Sequence, residues 1–166
     1  VQGEQVIEGA PFSVEVKASV NGSNCTAEGP ALGTPYTDVE THFTVTARDK
    51  HGQPVAEGGR KVDVHVTGPS GDLNPAVVDN GDGTYGVTFT YTEKGEHHVA
   101  VTADGIIAPD TVESVPIQGS AFAVGVKPSV VGARSTAKGP GLEHPYTDVQ
   151  THFVIQARDK HGDEVN

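Results

Sequence analysis

One stretch of this chain is written twice. Residues Phe12 to Gly52 return as Phe122 to Gly162 at a constant offset of 110, and 26 of the 41 aligned pairs are identical without a gap. Shared runs include Pro35-Tyr36-Thr37-Asp38-Val39 with Pro145-Tyr146-Thr147-Asp148-Val149, and Arg48-Asp49-Lys50-His51-Gly52 with Arg158-Asp159-Lys160-His161-Gly162. A period this long repeats a whole domain, because solenoid units return every ~20–50 residues. The chain therefore divides into the last strand of one unit (1–19, around Phe12, Val14 and Val16), a complete unit (20–128) and the first strands of a third (129–166, with its second strand from Thr151 to Arg158). A start at Val1 and the absence of Met read as an internal piece of a longer protein.

Within the complete unit the apolar residues alternate. Phe43, Val45 and Ala47 interleave with Thr44, Thr46 and Arg48. Val62, Val64 and Val66 interleave with Asp63, His65 and Thr67. The same period runs through Tyr85, Val87, Phe89 and Tyr91, then Val99, Val101 and Ala103, then Phe122, Val124 and Val126. A strand with one buried face has this period, and a slip of one residue turns its whole apolar set to water. Turn signals separate the runs: Gly68-Pro69-Ser70-Gly71, Asp79-Asn80-Gly81-Asp82-Gly83 and Lys94-Gly95. About seven short strands in roughly 100 residues predict an all-β, immunoglobulin-like antiparallel sandwich. The expected core is Phe43, Val45, Val64, Val66, Tyr85, Val87, Phe89, Val99, Val101, Phe122 and Val124.

Charge narrows the partners. With 22 acidic and 11 basic residues the net charge is -11, which is unsuited to a nucleic-acid or anionic-membrane surface. No apolar run approaches the ~20 residues of a membrane span. The single cysteine, Cys25, leaves no intrachain disulfide to form, which leans towards a reducing compartment.

The ordered motifs resemble the rod repeats of filamins, the actin-crosslinking proteins. They are Gly29-Pro30-Ala31-Leu32 in the first strand region, Phe43 to Asp49 in the second, Val66-Thr67-Gly68-Pro69-Ser70, Asp79 to Tyr85, Gly95-Glu96-His97-His98-Val99 and Gly119-Ser120-Ala121-Phe122. The resemblance covers the whole chain. It implies a non-enzymatic scaffold in the cytoplasmic cytoskeleton, forming a tandem array with neighbouring repeats. Actin filaments would be held by other domains of the parent protein. Peptides of membrane receptors or cytoskeletal proteins would dock by adding a strand beside the third strand. That implies a groove at Lys61, Asp63, His65, Thr67, Ala76 and Val78. Two departures stand out: a long connection from Asp104 to Val115, and Asp63 and His65 where small apolar groove residues are expected, with Pro75 falling in the next strand. A buried charge costs desolvation energy and Pro removes a backbone donor, so these favour a spacer role or a preference for basic or polar peptides. Protonation of His65 would then move the local charge towards neutral. The alternatives are an extracellular adhesion or surface array of the same fold, or a repeat array attached to a catalytic domain elsewhere.

Other candidate sites have plain structural readings. Asp79, Asn80 and Asp82 suit a cation, yet a turn built from Asx and Gly explains them without one. Adjacent His97 and His98 on a strand point to opposite faces and do not chelate together, so neither metal nor cofactor is expected. Asn21-Gly22-Ser23 and Asn24-Cys25-Thr26 are glycosylation tripeptides, but one repeat later Val131 and Arg134 occupy the asparagine positions.

Overall fold

The computed structural model describes Ser13 and residues 19–108 and 111–166. The strand expected around Phe12, Val14 and Val16 lies outside these residues. The strands in chain order are β1 (Thr26–Glu28), β2 (Glu40–Thr46), β3 (Val62–Gly68), β4 (Gly71–Leu73), β5 (Val77–Asp79), β6 (Thr84–Thr90), β7 (Gly95–Ala108), β8 (Thr111–Pro116) and β9 (Phe122–Val126). Two more, β10 (Thr136–Lys138) and β11 (Val154–Gln156), belong to the following copy.

One sheet runs β1-β2-β6-β5, and the other runs β4-β3-β7 with β8 and β9 both beyond β7. All pairings between these strands are antiparallel. Alternation does what the sequence demands. Phe43 and Val45 on β2, Val62, Val64 and Val66 on β3, and Val99, Val101 and Ala103 on β7 enter one core. Each fully buried Val contributes about 1.5–2 kcal/mol of apolar transfer. Every expected core residue is buried except Phe89 and Phe122, which are half-buried and pack against the cluster. Edge-to-face ring contacts run along the first sheet and then across to the second: Phe43 with Phe89 at 6.3 Å and Phe89 with Tyr91 at 4.8 Å on the β2–β6 side, then Tyr91 with His97 of β7 at 5.0 Å.

Three expectations are corrected. Pro30–Leu32 is a 3-10 turn rather than part of a strand, with Pro at its first position, where a missing N–H costs nothing. Pro75 lies ahead of β5, which opens only at Val77. The connection from Asp104 to Val115 is no loop: β7 runs on to Ala108 and β8 folds back on it, from Thr102 opposite Pro116 to Ala108 opposite Thr111.

The turn from Asp79 to Gly83 uses its carboxylates on its own backbone. Asp79 Oδ1 accepts the Gly81 N–H at 2.8 Å, and Asp82 Oδ1 accepts the Thr84 N–H at 3.0 Å and its hydroxyl at 2.6 Å. These bonds hold the Asp82 carboxyl below the usual range.

The repeated segment folds differently in its two settings. β2 pairs with β6 along its full length and with β1 on its other side. Its copy β11 pairs only with β10, among the described residues, and shortens to three residues where a strand from Thr151 to Arg158 was expected. Phe43 is fully buried, whereas Phe153 is 50% exposed.

Candidate partner-binding groove

β3 is a central strand at one end and an edge at the other. On one side it pairs with β7 from Val62 opposite Ala103 to Thr67 opposite His98. On the other side β4 occupies only Val66 to Gly68. Among the described residues no strand covers the outer edge of Val62 to His65. An unpaired edge offers a row of N–H and C=O groups to an incoming extended chain.

That edge overlooks an open depression of about 460 Å³ between β3 and the segment leading into β5. Asp63 and His65 of β3, Ala100 and Thr102 of β7, and Asn74, Pro75 and Val77 form its surface, with Val62 and Val64 behind. The placement follows from register: Asp63 stands opposite Thr102 and His65 opposite Ala100, so all four share the outward face.

The charged residues are tied locally. Lys61 Nζ lies 2.6 Å from Asp63 Oδ2, and this hydrogen-bonded carboxylate raises the Lys61 pKa. His65 Nδ1 is 2.8 Å from Asn74 Oδ1, while its Nε2 is 3.4 Å from Asp72 Oδ2. The imidazole thus bridges from β3 to β4 at Asp72 and to the β4–β5 connection at Asn74. Asp63 and Asp72 against Lys61 leave the groove slightly acidic.

Of the six residues expected from sequence, Asp63 and His65 line the depression. Lys61 reaches it through its ion pair with Asp63. Thr67 sits opposite Asp72, where β4 already takes the edge. Ala76 and Val78 are exposed beside the depression, Val78 at 61%. Ala100, Thr102, Asn74 and Val77 escaped the sequence reading. A register between β3 and β7 was the signal needed to find the first two.

The histidines do not gather. His97 is buried against Tyr91 and His98 is exposed, as alternation requires. Among the described residues no group of three or more His, Cys, Asp or Glu is placed to hold a metal ion. No helix among them is long and apolar enough to cross a membrane.

The filamin/ABP280 repeat family matches residues 19–123. Filamin-C of Rattus norvegicus is 36% identical over 152 residues, covering 89% of this chain, and the chain spans about 5% of that relative's length. Among solved structures, the Lin-41 filamin domain aligns with a TM-score of 0.52 at 14% identity, covering 66% of this chain and 98% of that one. The Escherichia coli adhesin FdeC aligns with a TM-score of 0.59 at 19% identity over 89% of this chain and 44% of its own, a likeness of fold alone. With the family matched over more than half of its length and the sandwich in place, the chain belongs to the filamin repeat family.

Proposed function

We propose that this chain is a structural rod segment of a filamin-type actin-crosslinking protein in the cytoplasmic cytoskeleton, and that its groove receives partner peptides by strand addition along Val62–His65. The observation that carries this reading is the uncovered β3 edge above the depression at Asp63 and His65. The repeat supplies length and mechanical continuity, performs no catalysis and uses no cofactor. Actin filaments are held by other domains of the parent, and the docked peptides come from membrane receptors or cytoskeletal proteins. Main-chain hydrogen bonds supply the affinity and alternate side chains the selectivity, so Asp63 and Asp72 favour a peptide with Lys or Arg at an inward position.

An extracellular array would have the same sandwich. The engagement of Asn24 supports the intracellular reading, because its side-chain amide donates to the Asp49 carbonyl at 2.9 Å. That nitrogen is the atom a glycan would take.

The test is fluorescence anisotropy with extended basic peptides and the 166-residue chain. A peptide N-methylated at alternate residues loses its main-chain donors and is expected to stop binding. Asp63→Lys is expected to weaken the basic peptide about tenfold, equivalent to about 1.4 kcal/mol. Undiminished binding of the N-methylated peptide would rule out strand addition.

A further inference from the structure

The pentapeptide Arg-Asp-Lys-His-Gly occurs once in each copy, and its two occurrences share one internal structure. Arg48 Nη1 donates to the Gly52 carbonyl, and Arg158 Nη1 to the Gly162 carbonyl. Asp49 Oδ1 accepts the N–H groups of His51 and Gln53, and Asp159 Oδ1 those of His161 and Asp163. Their surroundings differ. Asp49 is partly exposed and Lys50 exposed, while Asp159 is only 3% exposed and Lys160 half-buried. Sequence and local fold are held constant, so the difference reports what covers the second turn.

The cover is the base of the complete repeat. Lys160 Nζ lies 2.8 Å from Asp38 Oδ1 and donates to the Thr92 carbonyl at 2.9 Å. In the opposite sense, Lys94 Nζ reaches Asp163 Oδ2 at 3.1 Å and Asp159 Oδ2 at 3.5 Å. The two lysines cross the joint in opposite directions, around a cleft of about 210 Å³ floored by Thr37 and Pro128. The link between the copies is short and pinned. Thr37 N–H donates to the Lys127 carbonyl, Ser129 N–H to Thr37 Oγ1, and Val131 N–H to the Arg158 carbonyl. A pinned link brings the charges together at high effective concentration, which single exposed ion pairs lack.

We propose that the Arg158–Gly162 turn is a plug that seats in a socket on the preceding repeat, formed by Asp38, Thr92 and Lys94, and that this joint fixes the angle between consecutive repeats. The occupant is therefore the next repeat of the same chain. The exposed copy, Arg48–Gly52, presents the same plug towards the repeat before it. This inference rests on the tandem-array reading and is independent of the groove, so failure of peptide docking leaves it standing.

Amide chemical shifts and 15N relaxation of the 166-residue chain test the joint. Lys160→Ala is expected to shift the amides of Asp38, Thr92 and Lys94, whereas Lys50→Ala, at the uncovered copy, leaves them in place. Asp38→Lys is expected to free the Arg158–Gly162 turn into fast motion, as is 1 M NaCl, which cuts the Debye length to ~3 Å. The exchanged pair Asp38→Lys with Lys160→Asp should return the turn to its original relaxation rates. Unmoved Asp38 and Thr92 amides in Lys160→Ala, equal shifts from Lys50→Ala, or no recovery in the exchanged pair would each overturn the proposal.

Discussion

The hydroxyl of Tyr91 donates to the carbonyl of Ala31 at 2.9 Å in the fully buried core, tying the chain just after β6 to the 3-10 turn ahead of β2. Removing the hydroxyl leaves a buried carbonyl without its partner. Tyr91→Phe is therefore expected to cost about 1–3 kcal/mol in urea unfolding, with an unchanged m-value.

Burial also pushes the Tyr91 phenol up to about 12. Between its ordinary value near 10 and about 12 the folded chain keeps a proton that the unfolded chain has released, so stability falls as pH rises. Below that window the contribution is complete. Unfolding midpoints measured from pH 8 to 12 should decline less steeply in Tyr91→Phe. A residual slope should remain from Tyr85 and Cys25, whose pKa values burial also raises. An identical slope in the variant would contradict the assignment.

Phe43 and Phe153 occupy equivalent positions in the duplication but not equivalent environments. Phe43→Ala removes a fully buried ring in edge contact with Phe89 and is expected to cost about 3–5 kcal/mol. Phe153→Ala removes a ring that is 50% exposed and should change the main unfolding transition by less than about 0.5 kcal/mol. Thermal denaturation followed by circular dichroism separates the two.

The strands legible in the sequence were those with one buried face. Val62, Val64 and Val66 announce β3 because burial selects every second residue. The extended β7–β8 hairpin carries no such signature. Asp104-Gly105-Ile106-Ile107 breaks the period, and β8 is exposed along nearly its whole length, so no core writes a pattern into it. β1, β4 and β5 span three residues each, too few for a period. Asp63 and His65 of the groove were legible as outward positions of β3. Ala100 and Thr102 required pairing information that a single strand does not contain. Lys160 was visible as a repeated residue, but its partner Asp38 lies 122 residues away and only folding brings them together.

Two glycines in one hairpin turn separate conformational strain from steric exclusion. Gly81 and Gly83 both have positive φ, 81° and 83°, but a Cβ on Gly81 meets nothing within 4 Å. A Cβ on Gly83 would fall on the Val55 carbonyl oxygen. Gly81→Ala should cost about 1 kcal/mol from the left-handed backbone alone. Gly83→Ala must displace the Val55 backbone and should cost at least about 3 kcal/mol, read from the same denaturation curves.

The groove itself is tested most directly by titrating an extended, Lys-containing peptide into the 15N-labelled chain. An added strand at β3 should move the amides of Val62 to His65 together with those of Asn74, Ala100 and Thr102, and should slow hydrogen exchange along the β3 edge. Asp63→Lys should suppress those shifts while leaving the core resonances of Phe43 and Val87 in place. Shifts confined to the β7–β8 hairpin between Asp104 and Val115, with Lys61 to Thr67 unmoved, would show that partners meet this repeat on a different surface.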